Sequence, residues 1–292
     1  MLKISNSKLI LGTVQMGLPY GISNISGKIS IKNSFEILAY AFDCGIEILD
    51  SAEAYGNAHE VIGAFHEKHP EKLFKVITKL PHQSDINIEE KVDEYLNELR
   101  VDHLHALLFH SFSSYKSNLD NFDDLRRLKL DKKIKNIGVS VYTNEEVEAV
   151  TLNEDIDIIQ LPFNLFDNIN LRGDILEKAK SKGKTIHTRS ALLQGLFFKN
   201  PDDQNETVRN LKNELTLLSG ISKKYNTSIS QLALSYCMQQ ITIDNVLIGV
   251  DSINQLKDNI QSVNYRIKPE AINEINMIKV KNLDLLNPSL WN

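Results

Sequence analysis

The chain has 292 residues, 42% of them hydrophobic, with 33 basic against 38 acidic side chains and a formal charge of -5; the signs are mixed along the sequence, without the basic block a nucleic-acid partner requires. Only two cysteines occur, Cys44 and Cys237, each within an apolar helical pattern, which argues against a disulfide framework and against a metal cluster. No run of about 18 apolar residues and no signal-type amino terminus is present, so the chain is expected to be cytoplasmic, with no membrane partner.

In chain order, short β-branched and apolar runs predict strands over 9–12, 46–50, 74–78, 104–109, 137–139, 156–161, 185–187 and 246–248. Helical periodicity follows each of them, over 31–44, 58–68, 88–99, 119–130, 144–152, 171–182, 228–240 and 253–263. In the third helix Val92, Tyr95, Leu96 and Leu99 form one apolar face, while Glu90, Asp93 and Glu94 face water. A further helix over 268–280 opens with Pro269, whose missing N–H would be unpaired in a first turn anyway.

Eight βα pairs predict an α/β fold, a closed (β/α)8 TIM barrel with an extra C-terminal helix, as one domain over 1–292; such barrels need roughly 250 residues. A doubly wound sheet would place a glycine-rich phosphate loop after its first strand, and no GxGxxG follows Leu11. The long connections 12–30, 110–118 and 189–226 then lie where a barrel builds its site, at the carboxyl ends of the strands.

Three ionisable residues close successive strands: Asp50, Lys79 and His110, with Tyr55 five residues after the aspartate and beside Gly56. A lysine at the end of an apolar strand is tolerable only beside a carboxylate such as Asp50. Its charge near a phenol is expected to lower the Tyr55 pKa from about 10 toward working pH, allowing proton exchange with a substrate oxygen that neutral His110 orients. Taken singly, each ionisable residue reads more simply as an ion pair or cap; jointly, at one barrel mouth, they read as catalytic. His103, His105 and His187 read as packing residues, and Tyr20 and Phe112 as possible mouth walls. The tail 282–292 carries the single tryptophan, Trp291, and either folds across the mouth or frays. No HExxH or paired Cys/His spacing occurs, so no metal is expected.

This order of Asp50, Tyr55, Lys79 and His110 resembles the aldo-keto reductase family, and the likeness continues through Leu11-Gly12-Thr13, Gly138-Val139-Ser140, Gln160 and 249–259. The resemblance implies a nicotinamide cofactor, NADP(H) or NAD(H), lying over the barrel mouth. By position it assigns Thr13, Ser140 and Gln160 to the nicotinamide end, Ser190, Leu192 and Gly195 to a loop around the pyrophosphate, and Gly249, Ser252, Gln255 and Asn259 to the adenosine end. Val141 replaces the usual asparagine after the serine, and Arg189 replaces a ring-stacking tyrosine, a role that a planar guanidinium can also fill. Asp251 stands where NADPH-preferring members often carry a cation, which favours a ribose hydroxyl over a phosphate.

The implied activity is hydride transfer between NAD(P) and a small-molecule carbonyl or alcohol. The runs 11–22 and 189–196 resemble a bacterial branch associated with surface-polysaccharide and modified-sugar biosynthesis, pointing to a sugar, free or nucleotide-linked. Two alternatives keep the same fold: a cofactor-binding regulatory subunit like the potassium-channel β subunits, and a redox-assisted sugar epimerase or dehydratase.

Overall fold

The computed structural model describes residues 8–22, 24, 27–82 and 86–291. Eight parallel strands pair in sequence order and close into a barrel: β1 (Leu9–Gly12), β2 (Ile48–Asp50), β3 (Lys75–Leu80), β4 (Ala106–Phe109), β5 (Ile137–Ser140), β6 (Ile158–Pro162), β7 (Thr185–Arg189) and β8 (Asn245–Ile248). Closure is carried by β1 against β8, with Leu9 opposite Val246 and Leu11 opposite Ile248.

Side chains alternate across a strand, so each strand divides its apolar residues between two cores. Ile10, Ile77, Ala106, Leu108 and Ile158, with Ile48 and Leu247 against them, form a compact cluster of their own. Their neighbours Leu9, Leu11, Leu49, Val76 and Leu107 belong instead to the large cluster shared with the helices. Deleting a buried side chain such as Leu108 would cost about 2–5 kcal/mol in a core of this kind. The same parity sets the chemistry: Asp50, Lys79, His110, Ser140 and Gln160 each lie two residues beyond a member of the inner rows, Ile48, Ile77, Leu108, Gly138 and Ile158.

The helices are α1 (Val14–Gly17), α2 (Ile31–Asp43), α3 (Ala58–Lys68), α4 (Ile88–Leu99), α5 (Phe112–Ser117), α6 (Phe122–Leu130), α7 (Asn144–Thr151), α8 (Ile169–Ser181), α9 (Glu206–Asn210), α10 (Lys212–Tyr225), α11 (Ile229–Met238), α12 (Ile253–Ser262) and α13 (Pro269–Asn276). Their starts are written locally. Thr143 with Glu146 and Ser228 with Gln231 form reciprocal capping boxes at α7 and α11. Among the described residues, no helix is long and apolar enough to cross a membrane.

Several element boundaries differ from the sequence-based expectations. The connection 189–226 is no plain loop: it contains α9 and the long α10, whose Leu215, Leu218 and Ile221 are buried at helical spacing. The C-terminal helix ends at Asn276, short of 280, and is followed by 3-10 turns at Leu283–Leu286 and Pro288–Leu290. Strands β2, β3, β4 and β6 begin one or two residues later than their apolar runs, because Ile46, Phe74, Leu104 and Ile156 are buried flanks outside the strands.

Candidate active site

Asp50 and Lys79 are 1% and 2% exposed, and the Lys79 ammonium donates to Asp50 Oδ1, to the Ser51 carbonyl at 2.9 Å and to the Tyr55 hydroxyl at 3.5 Å. The second aspartate oxygen is taken as well, since Gln160 Nε2 donates to Oδ2 at 2.7 Å. Burial works against the lysine charge, but Asp50 and Tyr55 outweigh it and hold the ammonium above its ordinary pKa. Thr13 donates through Oγ1 to the Asp50 carbonyl at 3.0 Å and so ties the end of β1 to the same corner.

Tyr55 departs from the sequence-based expectation. Its pKa is raised, not lowered: burial pushes the phenol up, and the Lys79 charge only partly offsets it, with Asp50 adding to the rise. The hydroxyl is therefore neutral at ordinary pH. Tyr55 is placed by two glycines that leave no room for a side chain. A Cβ on Gly17, at the end of α1, would lie 1.7 Å from the Tyr55 carbonyl oxygen, and one on Gly56, at φ +57°, would lie 2.7 Å from the Gly17 oxygen.

His110 stands edge-on to Tyr55, with ring centroids 5.9 Å apart, and is stacked on His82 at 4.6 Å. Burial, with Lys79, His82 and Arg189 adding to it, pushes its pKa down to about 3. It is neutral at pH 7, and its buried Nδ1 has no hydrogen-bond partner. His187 is 1% exposed, and its buried Nδ1 likewise has no hydrogen-bond partner.

A cavity of about 580 Å³ opens beside this corner, within the range of small-molecule sites. Asp50, Tyr55 and Gln160 wall one part, Arg189, Ser190, Leu192 and Gly195 another, and Gly249, Gln255 and Asn259 a third. Thr13 also lines it. Lys79, His110, Ser140 and Ser252 do not: Lys79 lies behind Asp50 and Tyr55, while the Ser252 hydroxyl caps α12 by accepting from Gln255 N at 3.3 Å. The loop after β7 carries Ser190, Leu193 and Gln194 at positive φ without being glycine, a strain that concentrates at functional sites.

Several lining residues escaped sequence reasoning. Gln15 and Tyr142 are among them; Gln15 Oε1 is buried without a partner and its amide crowds Gly249, where a Cβ would lie 2.7 Å from Nε2. Across the mouth, Gln194 donates to the Tyr20 hydroxyl at 2.8 Å, and Asn24 donates to Asp251 at 3.1 Å. The tail reaches the cavity through Pro288 and Ser289, and Trp291 donates to the Leu285 carbonyl at 3.1 Å. Phe112 packs on Tyr115 instead, with centroids 5.8 Å apart. Among the described residues, no group of three or more His, Cys, Asp or Glu side chains is placed to hold a metal ion.

The sequence matches the Aldo/keto reductase family over residues 8–279, and the chain belongs to that family of oxidoreductases. It is 25% identical to aldo-keto reductase YhdN of Bacillus subtilis over 94% of this chain and 90% of that one. It is 24% identical to L-galactose dehydrogenase of Arabidopsis thaliana (96% and 95% covered) and 22% to the NADH-specific methylglyoxal reductase of Escherichia coli (90% and 92%). The fold superimposes on the holo form of aldo-keto reductase AKR11C1 from Bacillus halodurans with a TM-score of 0.78, at 20% identity over 93% of this chain and 92% of that one.

Proposed function

We propose that the chain is a nicotinamide-dependent carbonyl reductase in which Tyr55 is the proton donor. The observation that carries this reading is the Tyr55 hydroxyl itself: on the cavity wall, 3.5 Å from the Lys79 ammonium, and held protonated by burial. A nicotinamide held in this cavity would supply the hydride for the carbonyl carbon. The Tyr55 proton goes to the carbonyl oxygen, and Lys79, clamped by Asp50, steadies the phenolate left behind. Neutral His110 orients the same oxygen.

The fit of the cavity to a dinucleotide rests on its volume and on the unpaired Gln15 Oε1, with Gly195 and Gly249 among the lining residues. Ser190, Leu192 and Gly195 would hold the pyrophosphate, and Gln255 and Asn259 the adenosine, with Gly249 beside them; Gln160 and Ser140 would orient the nicotinamide amide, and Ser252 would act through α12. We infer a preference for NADH. Among the described lining residues near the adenosine end are the carboxylates Asp251 and Asp258 but no lysine or arginine, and a 2′-phosphate would be repelled there. The name of the Escherichia coli relative carries the same preference.

For the substrate we propose a small hydroxylated carbonyl compound, of triose to sugar size. Polar Tyr20, Tyr142 and Gln194 line the cavity, and relatives are named for L-galactose and methylglyoxal. Fluorescence titration with NADH and NADPH, on wild type and Asp251→Ser, tests the cofactor part. The reading expects tighter NADH binding, with NADPH gaining about tenfold in the variant. NADPH binding more tightly than NADH in wild type would overturn that preference, and binding of neither would overturn the cofactor site.

A further inference from the structure

Arg189 closes β7, and every contact that holds its guanidinium is with a neutral group. Nε lies 3.4 Å from Ser140 Oγ, Nη2 donates to the Val141 carbonyl at 3.2 Å, and Cζ sits 4.0 Å from the centroid of the Tyr142 ring. No carboxylate among the described residues forms an ion pair with it. Among the described residues lining the cavity it is the only lysine or arginine. Its charge is felt at the reacting corner, where it contributes to the low basicity of His110 and draws the Tyr55 hydroxyl toward greater acidity.

We propose that Arg189 makes the site discriminate between the two redox states of the nicotinamide, holding the reduced ring and repelling the oxidised one. The inference rests on the cofactor reading above. Carbonyl, reduced nicotinamide and a proton become alcohol and oxidised nicotinamide: the hydride forms the new C–H bond, and the former C=O π pair takes the Tyr55 proton, which solvent replaces. In that exchange the ring passes from neutral to a charge of +1. An aromatic side chain beside the ring would attract the cationic form through its π face. A guanidinium does the reverse. Tyr142 lies against Arg189 and both line the cavity; no carboxylate is bonded to the guanidinium, and the buried Asp167 that feels its charge is itself held by Arg172.

The functional consequence is directional. Arg189 favours loading of the reduced cofactor and release of the oxidised one, a release step that often limits turnover in well-evolved enzymes. The same field makes the bound oxidised ring the stronger hydride acceptor, so Arg189 speeds cofactor exchange at the expense of the internal equilibrium.

Calorimetric titration of wild type, Arg189→Gln and Arg189→Lys with NADH and with NAD+ tests this directly, because glutamine keeps amide donors for Ser140 and Val141 but drops the charge. Wild type is expected to bind NADH at least about tenfold more tightly than NAD+; in the glutamine variant the ratio shrinks by roughly tenfold, mainly through tighter NAD+ binding, while the lysine variant keeps most of it. An unchanged ratio in Arg189→Gln, or loss of both affinities by one factor, would overturn the inference while leaving the cofactor site standing. Failure of wild type to bind either form would overturn the cofactor reading and this inference with it.

Discussion

Gln160 reaches from β6 across the barrel mouth to donate to Asp50 Oδ2 at 2.7 Å, while Lys79 occupies Oδ1. Each oxygen of the carboxylate therefore accepts a hydrogen bond from the framework, and Asp50 acts as an anchor for the lysine. This also places Gln160 in the framework of the Asp50, Lys79 and Tyr55 corner, in addition to the nicotinamide contact the family resemblance assigns to it.

The buried pair predicts a coupled stability effect. Asp50→Asn leaves a buried ammonium without its counter-charge, and Lys79→Met leaves a buried carboxylate with only Gln160; each is expected to cost about 3–5 kcal/mol in urea denaturation. The double variant should lose clearly less than the sum of the two, and additive losses would show that the pair is not coupled. The sign with pH follows from the lysine, whose folded pKa lies above its ordinary 10.5. Its contribution is complete below that value and disappears as pH climbs through the raised one, so the wild-type advantage should persist at neutral pH and fade only in strong alkali.

The acidities of Tyr55 and His110 predict the pH profile of carbonyl reduction. Tyr55 must be protonated to donate, and its raised pKa keeps it so beyond the ordinary phenol value of 10.0. His110, pushed down to about 3, stays neutral through the whole physiological range. The plot of kcat/KM against pH should be flat from about pH 5 to 9, without a histidine inflection near 6.5. A break between pH 6 and 8 that vanishes in His110→Gln would contradict this assignment.

Gly17 supports Tyr55 from below, and the contact predicts a long-reach effect. An alanine there would press on the Tyr55 carbonyl oxygen and on the Ala58 amide, which lie 1.7 and 2.9 Å from the added Cβ. The turn must move, and a displacement of about 1 Å is expected to lower kcat on the order of 100-fold. Gly220→Ala, within α10 and with open space at its Cβ, should leave kcat unchanged and stabilise by about 0.5–1 kcal/mol. Equal kcat in the two variants would remove the positioning role from Gly17.

Much of this arrangement is legible in the sequence because strand parity is simple. Once Ile48, Ile77, Leu108 and Ile158 are read as inward residues, Asp50, Lys79, His110 and Gln160 follow two positions later on the same face. What depends on tertiary burial was not legible. The direction of the Tyr55 shift is set by a desolvation larger than the lysine field that opposes it, and spacing carries no measure of that. Helix α10 was obscured by the polar stretch before it, although Leu215, Leu218 and Ile221 do carry a helical face. Ser252 reads equally as a ligand or as a cap from sequence alone, and only the helix it opens shows its hydroxyl engaged as a cap. Gln15 lay in a connection with no periodic signal at all.

The most direct test of the account is Tyr55→Phe, followed in two readouts: NADH affinity by fluorescence, and consumption of NADH with methylglyoxal, an aromatic aldehyde and an aldose. Removing only the proton donor should lower turnover on every accepted carbonyl by roughly 100- to 10,000-fold and leave NADH affinity within about twofold of wild type. Turnover close to wild type in the phenylalanine variant would contradict the assignment of Tyr55 as the acid on which the proposed mechanism is built.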